Sequence, residues 1–264
     1  MINKSKSLSI KNLAEVIALE YKDKITPLDK IIEDEGLKVF YDSYGKDTFD
    51  GMTLYENGKF SIHINTDLGN LHNSARGRFT LGHELGHYYI DSHRIGLKKG
   101  LLKPHPSRTN RKQFNQIEHE ADFFASCLLM PEERFNKDFQ KKPFNIGLID
   151  FLKEEYKVSR TACAFRFADI GNHSIMIIYG EAGKIKWYNC SEGFLYKYLL
   201  YEKTVAPNTV MGEFYKDIKD DIFKTEEIWA VDIFKYVKDD DINKKFLEHC
   251  ITYKNKALSI IWGD

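Results

Sequence analysis

Residues 78–90 read RFTLGHELGHYYI, and the run His83-Glu84-Leu85-Gly86-His87 inside them constrains this chain more than any other feature. The apolar neighbours Phe79, Leu81, Leu85, Tyr88 and Tyr89 predict one helix over about 74–90. On a helix, positions i and i+4 share a face about one turn apart. Imidazoles at 83 and 87 can therefore both reach a single tetrahedral zinc ion. Glu84, beside the first of them, can reach a water on that metal. Such a water has its pKa lowered toward ~7, and a neighbouring carboxylate can take its proton as it attacks a carbonyl. A surface helix with incidental histidines would explain the residue types but not their apolar setting.

Two histidines leave a catalytic zinc short of a third protein ligand. His93 has the spacing H-E-x-x-H-x(5)-H, but that geometry requires a sharp backbone reversal where this chain has the β-branched Ile90. The segment QIEHEADFFASCLLMP, residues 116–131, offers carboxylates instead. It predicts a helix ending before Pro131. Glu118, Asp122 and Ala125 share one face of it, and Glu120 lies about 200° away. Acids in a first helical turn also serve the helix dipole, so the residues alone leave Glu118 and Glu120 both open.

The remainder supplies a frame. Thr26-Pro27 is a helix start and Gly36 a stop. Residues 37–41 read as a strand. Residues 51–55 and 59–65 flank Asn57-Gly58, a hairpin signal, and Phe60, Ile62 and Ile64 alternate with polar neighbours. Residues 98–112 are basic and carry prolines, which predicts a mobile loop. Residues 148–168 have the cadence of a helix-turn-helix, with Arg160 and Arg166 as the cations that could touch DNA. Strands are expected at 174–179, 184–188, 228–234 and 257–262. A boundary near 171 divides the 264 residues into 1–170 and a strand-rich 171–264.

Lysine plus arginine equals aspartate plus glutamate, so the net charge is zero. That removes any global attraction to nucleic acid and argues against direct DNA binding. The four cysteines form no C-x-x-C pair, and read as free thiols of a reducing compartment. The N-terminus lacks the apolar core of a signal peptide, and no apolar run approaches the ~20 residues that span a bilayer. A cytoplasmic protein without a membrane partner is expected.

RFTLGHELGHYY followed by IEHEADFFASCLLMP resembles the ImmA/IrrE metallopeptidases, over about residues 50–170. The resemblance implies an α+β fold with a zincin-like core: a small sheet, the H-E-x-x-H helix and a glutamate-bearing helix. A helical segment and a strand-rich C-terminal region would follow. It implies a gluzincin-like Zn2+ site of His83, His87 and Glu118, with Glu84 as general base and Asp122 orienting a ligand histidine. It also implies an endopeptidase whose protein substrate is a phage-type helix-turn-helix repressor. Cleavage would release a mobile-element, stress-response or toxin–antitoxin-like operon. The competing reading is a non-enzymatic, partner-binding module on the same zinc fold, which would have no need of Glu84. Neither the oligomeric state nor a ligand for 171–264 follows from the sequence.

Overall fold

The computed structural model describes residues 2–102, 107, 115–140, 142–170, 173–217 and 220–263. The chain divides into two compact units, Met1–Asp138 with Phe151–Ser159, and Phe139–Asp150 with Arg160–Asp264.

The first unit opens with α1 (Lys4–Leu19), which Asn3 caps by accepting the amide of Lys6. The Asn3 side chain thereby satisfies an otherwise orphaned amide of the first turn. Ile10, Ala14, Ile17 and Ala18 are buried along one stripe, and α1 lays it on α5. Helix α2 (Leu28–Asp34) follows Pro27. Thr26 does not cap it; its hydroxyl donates to the carbonyl of Leu128, 2.7 Å away. Gly36, at φ +61°, lets the chain turn into β1 (Lys38–Asp42).

Strands β2 (Gly51–Glu56) and β3 (Lys59–Asn65) form the expected hairpin. Asn57 and Gly58 both have positive φ, 51° and 79°, as a tight two-residue hairpin turn requires. The sheet order is β1-β3-β2, with β1 parallel to β3 and β2 antiparallel to it. This leaves β2 at the edge that packs on α3 (Ala75–Tyr89). Ser74 caps α3, accepting the amide of Gly77. Helix α4 (Asp91–Lys98) starts immediately after the junction at Ile90. Helix α5 (Gln116–Leu129) crosses α3 closely because small residues meet there. A Cβ on Gly86 would stand 3.1 Å from the Cα of Ala121, and one on Gly82 would stand 3.3 Å from the Cβ of Ala125. Leu85, Phe124, Leu128 and Leu129, all fully buried, surround this crossing. Truncating any one of them to Ala should cost roughly 2–5 kcal/mol.

Helix α6 (Glu132–Phe139) comes next, then α7 (Ile146–Tyr156) and α8 (Arg160–Ile170). The last two are the helices of the expected helix-turn-helix cadence at 148–168. Arg166 is 1% exposed, and Arg160 is held by Asp150 at 2.6 Å. The two arginines of the helix-turn-helix cadence are thus a buried side chain and an ion-paired one.

In the second unit, α8 packs on β4 (Ile175–Glu181) and β5 (Lys184–Cys190). Helix α9 (Val210–Lys216), β6 (Phe223–Trp229), the single turn α10 (Ala230–Ile233), β7 (Lys245–Tyr253) and β8 (Lys256–Trp262) complete it. All neighbours are antiparallel, in the order β5-β4-β8-β7-β6. The strand expected at 228–234 ends at Trp229, where the chain makes the α10 turn instead. The architecture is α+β: a small sheet with helices, a helical segment, then a strand-rich sheet. No helix among the described residues is long and apolar enough to cross a membrane.

Candidate metal centre

Helix α3 presents His83 and His87 on the face toward α5, and the glycine–alanine crossing brings α5 near enough for Glu118 to meet both. The Nε2 atoms of the two histidines lie 3.1 Å apart. Glu118 Oε1 is 3.2 Å from His87 Nε2, and its Oε2 is 3.6 Å from His83 Nε2. Neighbouring donors round a tetrahedral ion, with bonds of ~2.0–2.1 Å, stand about 3.3 Å apart. The three observed separations bracket that value. His83, His87 and Glu118 are also all buried. Nitrogen lone pairs and a carboxylate converging away from water require a cation or protons between them. The donor set, two imidazoles and one carboxylate, suits a metal ion of the zinc type.

Asp122, one turn beyond Glu118 on α5, reaches behind His83: its Oδ1 is 2.7 Å from His83 Nδ1. That contact fixes the ring with Nε2 inward. Burial pushes His83 toward its neutral form, but the charge and hydrogen bond of Asp122, with Glu84 and Glu118 beyond, outweigh it and raise its pKa. At His87 burial dominates and lowers the pKa to about 3, despite the hydrogen bond of Glu118.

Glu84 is fully buried, and burial raises its pKa against the opposing charge of His83 and the hydroxyls of Thr53 and Ser107. Thr53, on β2, donates to Glu84 Oε2 at 2.7 Å. Oε1 is buried without a hydrogen bond among the described residues.

Glu120 faces elsewhere. Its Oε2 is 3.2 Å from Nε2 of His93, so neither joins the cluster. The reason is the rotation between positions 118 and 120 on one helix. Most of the basic stretch 98–112 that was expected to be a mobile loop lies outside the described residues. Ser107 within it pairs with Gly51 on the β2 edge, its amide donating to the Gly51 carbonyl at 3.1 Å. Its hydroxyl stands 3.1 Å from His83 Nε2.

Thr53, Gly51 and Ser107 escaped sequence reasoning. For the first two a signal was present: in β2 the buried positions alternate, and a glycine and a threonine fall where apolar residues would ordinarily pack. For Ser107 no local signal exists, because its contacts are made across more than twenty residues of chain.

The sequence matches the profile of the IrrE N-terminal-like domain, peptidase family M78, over residues 32–168. That span holds all of His83, Glu84, His87, Glu118 and Asp122. Among solved structures, a Mycobacterium tuberculosis transcriptional regulator is similar in fold, with a TM-score of 0.63 at 12% identity; the match covers 97% of this chain and 76% of that one. No curated protein matches the sequence significantly. With just over half of its residues in the matched span, and with a histidine–histidine–glutamate cluster able to hold a metal ion, the chain belongs to the IrrE N-terminal-like, M78 family of metallopeptidases.

Proposed function

We propose that this chain is a zinc-dependent endopeptidase that cleaves a phage-type helix-turn-helix repressor. The observation that carries the reading is the convergence of His83, His87 and Glu118 beside the buried carboxylate of Glu84. A zinc ion held by the three would polarise the scissile carbonyl and acidify the attacking water. The remaining work falls to side chains of this chain. Asp122 holds His83 in the tautomer that turns Nε2 inward. Thr53 pins one oxygen of Glu84 and leaves Oε1 to take the water's proton as its oxygen adds to the carbonyl carbon. The raised pKa of Glu84 suits it to keep that proton and pass it to the departing amide nitrogen as the C–N bond breaks. Glu84 and the three ligands are buried, which excludes bulk water and strengthens each of these electrostatic contacts. A binding module would need the ligand trio but not a buried, oriented Glu84.

The repressor as substrate, and release of its operon as the outcome, rest on the family resemblance. The test is incubation of the purified, zinc-loaded chain with the repressor encoded beside it, with and without 1,10-phenanthroline. The expected result is one discrete cleavage that the chelator abolishes. A repressor left intact by the zinc-loaded protein would overturn the assignment of substrate.

A further inference from the structure

Outside the ligand trio, the same crossing of helices holds a second buried polar pair with no place in the mechanism above. His93, third residue of α4, is 1% exposed, and Glu120 of α5 is 4% exposed. His93 Nε2 is 3.2 Å from Glu120 Oε2. The carboxylate is fixed from two further directions: Gln116 Nε2 donates to Oε1 at 2.9 Å, and Lys6 Nζ of α1 lies 3.5 Å from Oε2. Lys6 also donates to Ser92, next to His93, at 3.1 Å. Burying an acid, an imidazole and these partners costs free energy unless each is paired. An apolar pair of the same size would fill the space without that demand.

The position of the His93 ring gives the pair a purpose. Its centroid is 5.1 Å from that of His87, with the planes tilted by 37°. The His83 ring also meets His87, edge-on at 4.9 Å and 71°. His87 therefore packs against two rings. Asp122 fixes the first and Glu120 the second. Both rings that His87 packs against are hydrogen-bonded to α5. Helix α5 thus grips the histidine cluster twice, with Glu118 at the donor atoms and Glu120 behind them.

We propose that His93 and Glu120 are a positioning pair for the metal centre, holding the ring of His87 in the orientation that binds. The inference rests on the metallopeptidase reading of the trio. Groups that orient metal ligands change affinity by roughly 10–100-fold when removed.

The test is zinc affinity by chelator competition, with the visible spectrum of the cobalt(II)-substituted protein as a second readout. Wild type is compared with His93→Leu, Glu120→Leu, the double variant and His93→Gln. Each leucine variant should bind zinc 10–100-fold more weakly and show an altered cobalt band. The double variant should lose no more than the worse single one, because the two residues act as a unit. His93→Gln, which keeps an N–H toward Glu120 but puts no ring against His87, should recover only part of the loss. A purely structural role would lower the melting temperature of the metal-free protein and leave affinity and spectrum unmoved. That result, or losses that multiply in the double variant, would overturn the proposal. If wild type itself takes up no metal, the metallopeptidase reading fails first and the pair's role with it.

Discussion

Gly51 lies directly against Glu84: a Cβ added at position 51 would stand 2.6 Å from Oε1 and 2.8 Å from Cγ of that carboxylate, and 2.9 Å from Cγ2 of Thr80. Glycine is present here because the edge strand closes on the carboxylate, with no room for a side chain. Gly51→Ala should therefore displace Glu84 while leaving the three metal donors in place. A misplacement of order 1 Å can cost about 10²-fold in rate, and overpacking costs about 1–3 kcal/mol in stability. Zinc content near wild type with repressor cleavage reduced about a hundredfold is the expected outcome. Undiminished cleavage would show that Glu84 tolerates the shift.

Removing the carboxylate's charge without its volume separates holding the metal from moving the proton. Glu84→Gln keeps an acceptor for the Thr53 hydroxyl but cannot accept a proton from water. Zinc stoichiometry and melting temperature should stay near wild type while cleavage falls about 10²–10⁴-fold. A variant that cleaves at the wild-type rate would take Glu84 out of the mechanism.

How far the sequence disclosed this site follows from the range of each signal. The helix bearing His83, Glu84 and His87 is legible because a fixed spacing within one turn carries both the fold and the chemistry. The hairpin is legible because Asn57-Gly58 is a local turn code. Glu118 and Glu120 are two residues apart, so helical geometry says that only one can face His83 and His87, but not which. The crossing of α3 and α5 at Gly82, Gly86, Ala121 and Ala125 decides that, and it is a tertiary fact. The same limit hid the His93–Glu120 pair, whose members are polar and would be assigned to the surface by their type. Strand β7 was missed for a related reason. Buried Glu248 and His249 interrupt its apolar pattern, although their contacts make them part of the interior. The expected strand at 228–234 was misplaced because β6 is mostly exposed and lacks the alternation that marks a half-buried strand.

Asp122 offers a test of ligand orientation that leaves the donor set intact. Its carboxylate sits 2.7 Å from His83 Nδ1 and is 36% exposed, so replacing it opens no deep cavity. Asp122→Ala should weaken zinc binding by about 10–100-fold, since the ring loses the partner that fixes its tautomer. Asp122→Asn keeps an acceptor oxygen and should lose less. Chelator titration of both variants against wild type reads the order directly, and equal affinities for all three would show that the ring is held by packing alone.

The last prediction concerns Glu248, in the second unit and away from any metal chemistry. Its side chain is buried on β7, paired across the sheet with Ile261 and lining one cavity with Ile178 and Met211. It accepts the amides of Val210 at 2.6 Å and Met211 at 3.4 Å, at the start of α9, and the hydroxyl of Ser259 at 2.6 Å. Burial raises its pKa above the ordinary 4.5, and those hydrogen bonds only partly offset the rise. Below about pH 4.5 the carboxyl is protonated in folded and unfolded chains alike and contributes nothing to the pH dependence. As pH rises, the unfolded chain gives up its proton first while the folded one retains it. Stability must then fall, by at most about 1.4 kcal/mol per pH unit, until the folded carboxyl ionises too. Glutamine does not titrate, so Glu248→Gln lacks this loss. The unfolding free energy of the variant minus that of wild type should increase steadily as pH is raised from about 4, whatever its sign at the acidic end. Urea unfolding of both proteins across that range, followed by a signal from the second unit, measures the difference. A gap that stays constant with pH would mean that the Glu248 carboxyl ionises as readily in the fold as in water, its hydrogen bonds fully offsetting its burial.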